Sequence, residues 1–305
     1  MNKKIKAIVN PAAAGGKTAK IWPQKSKNFK TVFNNFDEIY TKRPGDAVEI
    51  AKKAAEKYDY IMSVGGDGTI NEIVNGILTV NNKAAETKLI IYPLGTGSDL
   101  NRTLKSPETV EDFIKIIKKG ESKKIKAGKV KFLNYKKQKQ KRYFLNIADC
   151  GMGAEVAKKL NQSKKTIDGS LNYLVKIFQT LIEYKNKEII VEADNKLIYQ
   201  GKINTAIVAH GNYFGGGIKI APEADLYSDK LNLVLLKDFS KPGIIFNLIK
   251  GYKGNHLKHH LVESCFAEKI KIDSQEKVDL ETDGESIGTC KAEFGISDKE
   301  ISILL

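Results

Sequence analysis

Between residues 60 and 72 the chain passes from the apolar stretch Tyr60–Val64 into Gly65-Gly66-Asp67-Gly68-Thr69. It then continues through Asn71 and Glu72 into a helical pattern. A strand followed directly by glycines and a helix start places backbone N–H groups and the positive end of a helix dipole where an anion can sit. Glycine lets that backbone approach phosphate oxygens. A tight turn in any α/β protein is the plainer reading of one such motif. Five specific residues in a strand–turn–helix setting favour the phosphate site.

The surrounding pattern fits. Lys4–Val9, Phe36–Tyr40, Tyr60–Val64 and Lys88–Pro93 read as strands. Helical signals alternate with them: from about Thr18, with Pro23 as a kink or late start, then Asp46–Lys57 and Asn71–Leu78. Ala47, Ile50, Ala51 and Ala54 share one helical face. Alternating strand and helix signals predict a parallel sheet covered on both faces. After Gly120 the texture becomes β-rich, with strand signals at Lys129–Leu133, Tyr143–Ala148, Glu188–Ala193, Asn204–Ala209, Leu231–Leu236 and Ile270–Ile272. Helical pieces interrupt these strands, the best of them Leu171–Tyr184, whose apolar stripe reads as core-facing, with a lipid groove as the alternative.

A chain of 305 residues suggests about two domains. Lysine and arginine exceed aspartate and glutamate by 15, so the protein meets something negative: nucleic acid, an anionic membrane or a phosphorylated ligand. Cys150, Cys265 and Cys290 are odd in number and form no CxxC pair, which argues against a disulfide framework or structural zinc and for a reducing cytosol. Met1–Asn10 is too short and charged for a secretory signal, and no apolar run is long enough to span a bilayer. The basic tract Lys136–Arg142 reads as a solvated hairpin tip, with membrane contact as the functional alternative. Aromatics do not interleave with it as a nucleic-acid stacking surface requires.

Two more loops follow predicted strands: Asn10-Pro11 through Gly15-Gly16-Lys17, and Pro93-Leu94-Gly95-Thr96-Gly97-Ser98-Asp99. Ligands of open α/β sheets bind beyond the carboxyl ends of the strands. Three glycine-rich loops at that edge therefore make one nucleotide site. Lys17 is long enough to reach a phosphate. Asp67 and Asp99 would bring carboxylates near the phosphates, which suggests Mg2+ held partly through water. Arg102 is either a phosphate clamp or the partner of an acidic neighbour. His210 reads as a structural residue, and His256, His259 and His260 as helix surface.

These motifs, with Thr41 before Gly45-Asp46-Ala47, Leu145-Asn146-Ile147 before Gly151, Gly215-Gly216-Gly217, Ala221-Pro222 and Asp283-Gly284-Glu285, resemble the diacylglycerol-kinase catalytic family in its bacterial soluble lipid-kinase branch. Sphingosine, ceramide and NAD kinases are more distant relations of that family. The likeness runs in order over nearly the whole chain. It implies an α/β plus all-β protein. Residues 1–125 and 296–305 would form a Rossmann-like ATP-binding domain with a parallel sheet. Residues 126–295 would form a β-sandwich-like lipid-substrate domain, with a C-terminal strand returning to the first domain. ATP would lie in the cleft between them.

The resemblance also implies site residues. Asn10, Pro11, Lys17, Thr41, Gly65, Gly66, Gly68, Thr69, Asn71, Glu72, Gly95, Thr96 and Arg102 would contact the nucleotide. Asp67 and Asp99 would organise the catalytic Mg2+, and Glu285 would be the general base. Two departures stand out. Ser98 occupies a position where the family usually has Asn, and Ser228 replaces the Asp of an Asp-Gly pair. A structural Mg2+ at Asp225, Ser228 and Lys230 is therefore in question, with Asp225 or Asp229 as the substitute for the missing Asp. Lys164 and Lys165, before Gly169, fall where related kinases place a basic residue.

The expectation is an ATP- and Mg2+-dependent kinase of a lipid hydroxyl, diacylglycerol foremost, acting at an anionic membrane surface from the cytoplasm. A homodimer is expected as an assembly and nucleic acid is not expected as a partner. The competing readings are a kinase of a sphingoid base, phosphatidylglycerol or NAD, and a silent nucleotide- or membrane-binding regulator.

Overall fold

Strand β1 (Ile5–Val9) pairs in parallel with β2 (Phe36–Tyr40) on one side and β3 (Tyr60–Gly65) on the other, and β3 pairs in parallel with β4 (Lys88–Pro93). The chain's last strand joins β4, also in parallel, through Ser302 opposite Lys88 and Ile303 opposite Leu89. These elements come from a computed structural model that describes residues 3–80, 86–162, 175, 177 and 179–305. The described chain divides into two compact units, Met1–Lys126 with Asp298–Leu305, and Ala127–Ser297.

In the first unit the central strands are buried on both faces, as a parallel sheet requires. Alternate residues Ile5, Ala7, Val9, Tyr60, Met62, Val64, Ile90 and Tyr92 share a core with helices α1 (Lys17–Val32), which supplies Trp22 and Phe29, and Val110–Lys119, which supplies Phe113. Aromatic rings knit this face: Trp22 to Tyr92 is 5.4 Å between centroids, Tyr92 to Phe113 is 4.7 Å and Phe29 to Phe36 is 5.6 Å. That packing explains why α1 runs through Pro23 without a break or late start. The buried side chains outweigh the lost backbone bond. Helices α2 (Asp46–Ala55) and α3 (Asp67–Thr79) pack on each other. Helix α3 starts at Asp67, four residues before the expected Asn71, so Asp67, Gly68 and Thr69 form its first turn.

The second unit begins within β5 (Ser122–Leu133) and continues through β6 (Lys139–Phe144), β7 (Ile147–Gly151), β8 (Lys187–Ala193), β9 (Lys196–Ile203), β10 (Thr205–Ala209) and β11 (Leu231–Leu236). It ends with β12 (Val262–Ala267), β13 (Lys269–Asp273), β14 (Asp279–Thr282) and β15 (Glu285–Leu304), whose final residues belong to the first unit. One layer runs β12-β11-β10-β7-β14-β15. Further along β15, residues Ala292–Gly295 pair with β13, which continues to β8 and β9, while β5 pairs with β15 and β6.

Side-chain alternation on β10 and β11 explains the sandwich. Ala206, Val208, Leu231, Leu233 and Leu235 enter the core shared with Ile189, Val191 and Ile270. Ile207, Ala209, Val234 and Leu236 face the other way, towards Met152 and Val156 of the helix Met152–Gln162. Both faces of these strands are thus covered. Of the helix expected at Leu171–Tyr184 the structure describes 175, 177 and 179–184, which are helical as far as Glu183, and Ile177, Leu181 and Tyr184 join the helix-side core; Lys164, Lys165 and Gly169 lie outside the described residues. Among the described residues no helix is long and apolar enough to cross a membrane.

The stretch expected as one strand, Tyr143–Ala148, is two. The ladder breaks at Leu145 and Asn146 because their N–H groups, with that of Ile147, all donate to the Asp283 carboxylate at 3.0 Å.

Candidate active site

The loops after β1, β3 and β4 leave the same edge of the parallel sheet, and direct bonds tie them together. Asn10 Nδ2 donates to Thr69 Oγ1 at 3.0 Å, and the Asn10 N–H donates to the Val64 carbonyl at 2.9 Å. Thr18 Oγ1, in the first turn of α1, donates to the Leu94 carbonyl at 2.8 Å. The Leu94 N–H in turn donates to the Gly65 carbonyl at 3.0 Å. Gly95 is glycine because the third loop rests on the second: a Cβ there would lie 2.3 Å from Gly66 Cα. So at this position the requirement is backbone-on-backbone contact between loops, beyond any approach to phosphate.

Asp67 and Asp99 converge. A Cβ built on Gly97 would stand 3.0 Å from Asp67 Oδ2 and 3.6 Å from Asp99 Oδ2, so both carboxylates flank one small hollow. Asp67 accepts long hydrogen bonds from the N–H groups of Asp99 (3.3 Å) and Leu100 (3.4 Å). Burial pushes the Asp67 carboxyl above its ordinary value; those N–H groups and the Arg102 charge pull it back. Arg102 folds over the loop and donates to the Gly97 carbonyl at 3.0 Å. Ser98 adopts a left-handed backbone, φ 51° and ψ 38°, a conformation that asparagine tolerates better than serine.

Two adjoining carboxylates suit Mg2+, which commonly takes one or two from protein and completes its shell with water and phosphate oxygen. Asp67 and Asp99 are the residues that would hold it. Thr96 is exposed beside them. Gly65 ends β3, where a Cβ would lie 2.6 Å from Thr69 Oγ1. Gly68 lies in the first turn of α3. The half-buried Pro11 and the exposed Lys17 border the first loop, in which Ala14, Gly15 and Gly16 all have positive φ.

Other expected contacts lead elsewhere. The Glu72 carboxylate accepts the N–H of Gly45 at 2.8 Å and of Ala47 at 3.1 Å, which caps the start of α2. Asn71 is buried, and its backbone carbonyl and side-chain oxygen accept from Asn75 Nδ2. Thr41 extends the β1–β2 edge through an N–H bond to the Val9 carbonyl at 2.9 Å.

In the second unit, Asp283 and Gly284 form a two-residue hairpin between β14 and β15, with φ of 48° and 86°. These left-handed values suit Asp-Gly in a primed turn. The turn presents Glu285, half-buried, whose Oε2 lies 3.4 Å from Asn161 Nδ2. Two acidic residues near it had no motif to reveal them. Asp149 and Glu281 stand opposite each other across β7 and β14, and both are buried. Asp149 accepts from Thr205 Oγ1 at 2.8 Å and from the Ala154 N–H at 3.1 Å, yet burial pushes its carboxyl up to about 7. Burial and the neighbouring Asp149 raise Glu281 well above the ordinary range, although it accepts the Gly284 N–H at 2.6 Å.

Two of the residues considered for a structural Mg2+ use side-chain oxygens within their own loop. Asp225 Oδ1 accepts the Tyr227 N–H and Ser228 Oγ accepts the Lys230 N–H, each at 3.0 Å, so these oxygens close two tight turns. Among the described residues no three His, Cys, Asp or Glu side chains gather to hold a metal. His210 is buried and its imidazole is pushed down to about 4 by burial, which keeps it neutral and structural. His256 is not helix surface. It is buried in a short 3-10 turn, with Nε2 bonded to the Ile220 carbonyl at 2.9 Å.

The catalytic-domain match over the parallel α/β unit and the relatives along the chain's length make the protein a kinase that acts on an alcohol. The chain belongs to the diacylglycerol kinase catalytic family: that catalytic domain matches residues 4–130, and the YegS C-terminal NAD kinase beta sandwich-like domain matches residues 146–305. A diacylglycerol kinase of Bacillus subtilis is 31% identical over 96% of this chain and 93% of its own length. One from Staphylococcus epidermidis is 29% identical over 99% and 92%. The crystal structure of a diacylglycerol kinase from Bacillus anthracis superposes with a TM-score of 0.70 at 20% identity, over 99% of this chain and 96% of that one. An NAD kinase from Archaeoglobus fulgidus in complex with ATP gives 0.53 at 16% identity, over 99% and 93%. These last two likenesses concern the fold.

Proposed function

We propose that the protein transfers the γ-phosphoryl group of ATP to the hydroxyl of a lipid alcohol, with diacylglycerol as the foremost substrate and phosphatidic acid as product. The observation that carries this reading is the convergence of Asp67 and Asp99 beside Gly97, at the edge where three tied loops leave the parallel sheet. The glycine-rich loops and the start of α3 offer N–H groups to phosphate oxygens. Bound Mg2+ would offset negative charge on the phosphates. Arg102, anchored on the Gly97 carbonyl, adds a fixed cation at the same rim.

Glu285 accepts the proton of the lipid hydroxyl in this proposal. The hydroxyl oxygen forms its bond to the γ-phosphorus as the bond from that phosphorus to the bridging oxygen breaks, and the electron pair leaves with ADP. Its support is the Asp283-Gly284 hairpin, which holds Glu285 on a defined backbone. The test is a panel of lipid alcohols in mixed micelles, plus NAD, each with labelled ATP with and without Mg2+. Incorporation into diacylglycerol above the others supports the reading; incorporation into NAD alone overturns it.

A further inference from the structure

The second unit carries a groove of about 910 Å³ whose lining includes none of the residues placed in phosphoryl transfer above. Its lining comes from the β5–β6 hairpin and from β8, β13 and β15. Leu133 and Ile190 contribute apolar surface, and Ile190 is 39% exposed. The walls are basic. Residues 127–144 contain seven lysines and arginines and no acidic residue. Strand register sets Lys131 opposite Lys141 and Leu133 opposite Lys139. Like charges paired across strands oppose folding, and a bound anion relieves that cost.

The groove's own acids do not supply the anion for the whole wall. Glu293 pairs with Lys131 at 3.7 Å, Glu192 with Lys271 at 3.2 Å and Asp273 with Lys291 at 3.2 Å. Among the described residues no carboxylate pairs with Lys139 or Lys141; Lys141 lies over the Tyr143 ring, 5.2 Å from its centroid. A groove of this size is within the range that holds small molecules, roughly 300–1,000 Å³. A nucleotide would satisfy the lysines but leave Leu133 and Ile190 wet. A neutral acyl chain would do the reverse.

We propose that this groove binds one anionic phospholipid, its acyl chain against Leu133 and Ile190 and its phosphate between Lys139 and Lys141. The site belongs to the sandwich unit alone and does not depend on the kinase reading, because binding is read without nucleotide or turnover.

The test titrates monomeric dioctanoyl phosphatidylglycerol into the full chain by calorimetry. Dioctanoyl phosphatidylcholine controls for the chains and glycerol phosphate for the head group. The expected result is one tight site for the anionic lipid, with both controls weaker by about tenfold or more. K139Q/K141Q should weaken the anionic lipid by about tenfold, and Ile190→Ser by several-fold, while both keep the parent circular dichroism and nucleotide affinity. Equal affinity for the two lipids, or glycerol phosphate binding as tightly as the lipid, overturns the proposal. So does anionic-lipid binding that both folded variants retain, because the lipid would then sit elsewhere.

Discussion

Asp283→Ala should cost the sandwich unit most of its stability. Asp283 is 8% exposed, and its carboxylate accepts three backbone N–H groups, from Leu145, Asn146 and Ile147, each at 3.0 Å. An unsatisfied buried donor costs about 1–3 kcal/mol. Alanine at φ 48° adds about 1 kcal/mol of backbone strain. The sum is on the order of 4–10 kcal/mol, comparable to the whole stability of a domain. Asp283→Asn separates the contributions. Asparagine tolerates the left-handed backbone, and its oxygen can serve Asn146 and Ile147, but its amide would meet the Leu145 N–H donor to donor. A loss of roughly 1–3 kcal/mol follows. Asp283→Gly removes the strain and leaves three unmet N–H groups, so it should fall just above alanine. Urea unfolding followed by far-ultraviolet circular dichroism would rank the four proteins as Asp, Asn, Gly, Ala. An alanine variant within about 1 kcal/mol of the parent would refute the argument, because water would then serve those N–H groups equally well.

Three further outcomes follow from the geometry. The Asp149 carboxyl is held up at about 7 against an ordinary 3.8, so the folded state keeps a proton that the unfolded chain releases, and stability falls as pH rises through that window. Asp149→Asn should therefore gain on the parent between pH 4 and 7 by at most about 4 kcal/mol, with Glu281 supplying the remaining slope; parallel stability–pH curves would count against it. Glu285→Gln should lower kcat by roughly 10²–10⁴-fold while calorimetric nucleotide affinity holds, and a matched loss of affinity would make Glu285 a binding or structural residue. Glu72→Ala, by uncapping α2, should destabilise the first unit by about 1 kcal/mol and leave nucleotide affinity within a few-fold; an affinity loss without destabilisation would return Glu72 to the nucleotide.

The alternation of apolar runs with glycine loops made the parallel sheet legible, because strand and helix periodicities are local and the loops between them are short. The same rule failed at Tyr143–Ala148. Its residues are apolar enough for one strand, but the break is imposed by Asp283, more than a hundred residues away. The helices Val110–Lys119 and Lys241–Gly251 start behind Thr109 and Ser240, ordinary N-cap residues whose side chains accept the expected N–H groups. Those two signals were available in the sequence.

Within the candidate site, motif order identified the loops and their acidic residues, since glycine and aspartate are few and their spacing is set by short turns. Partnership was not legible. Glu72 belongs to a motif that reads as phosphate-binding, yet its oxygens go to Gly45 and Ala47 because α3 packs beside the start of α2. Gly95 reads as a phosphate glycine and is required by Gly66. Asp149 and Glu281 carry no motif at all and face each other only because β7 pairs with β14. What residues do along the backbone is governed by neighbours within a turn or two, so sequence alone determined the strands and loops of the first unit. Which buried donor an acid meets depends on contacts between distant segments, and those exist only once the sheets have formed.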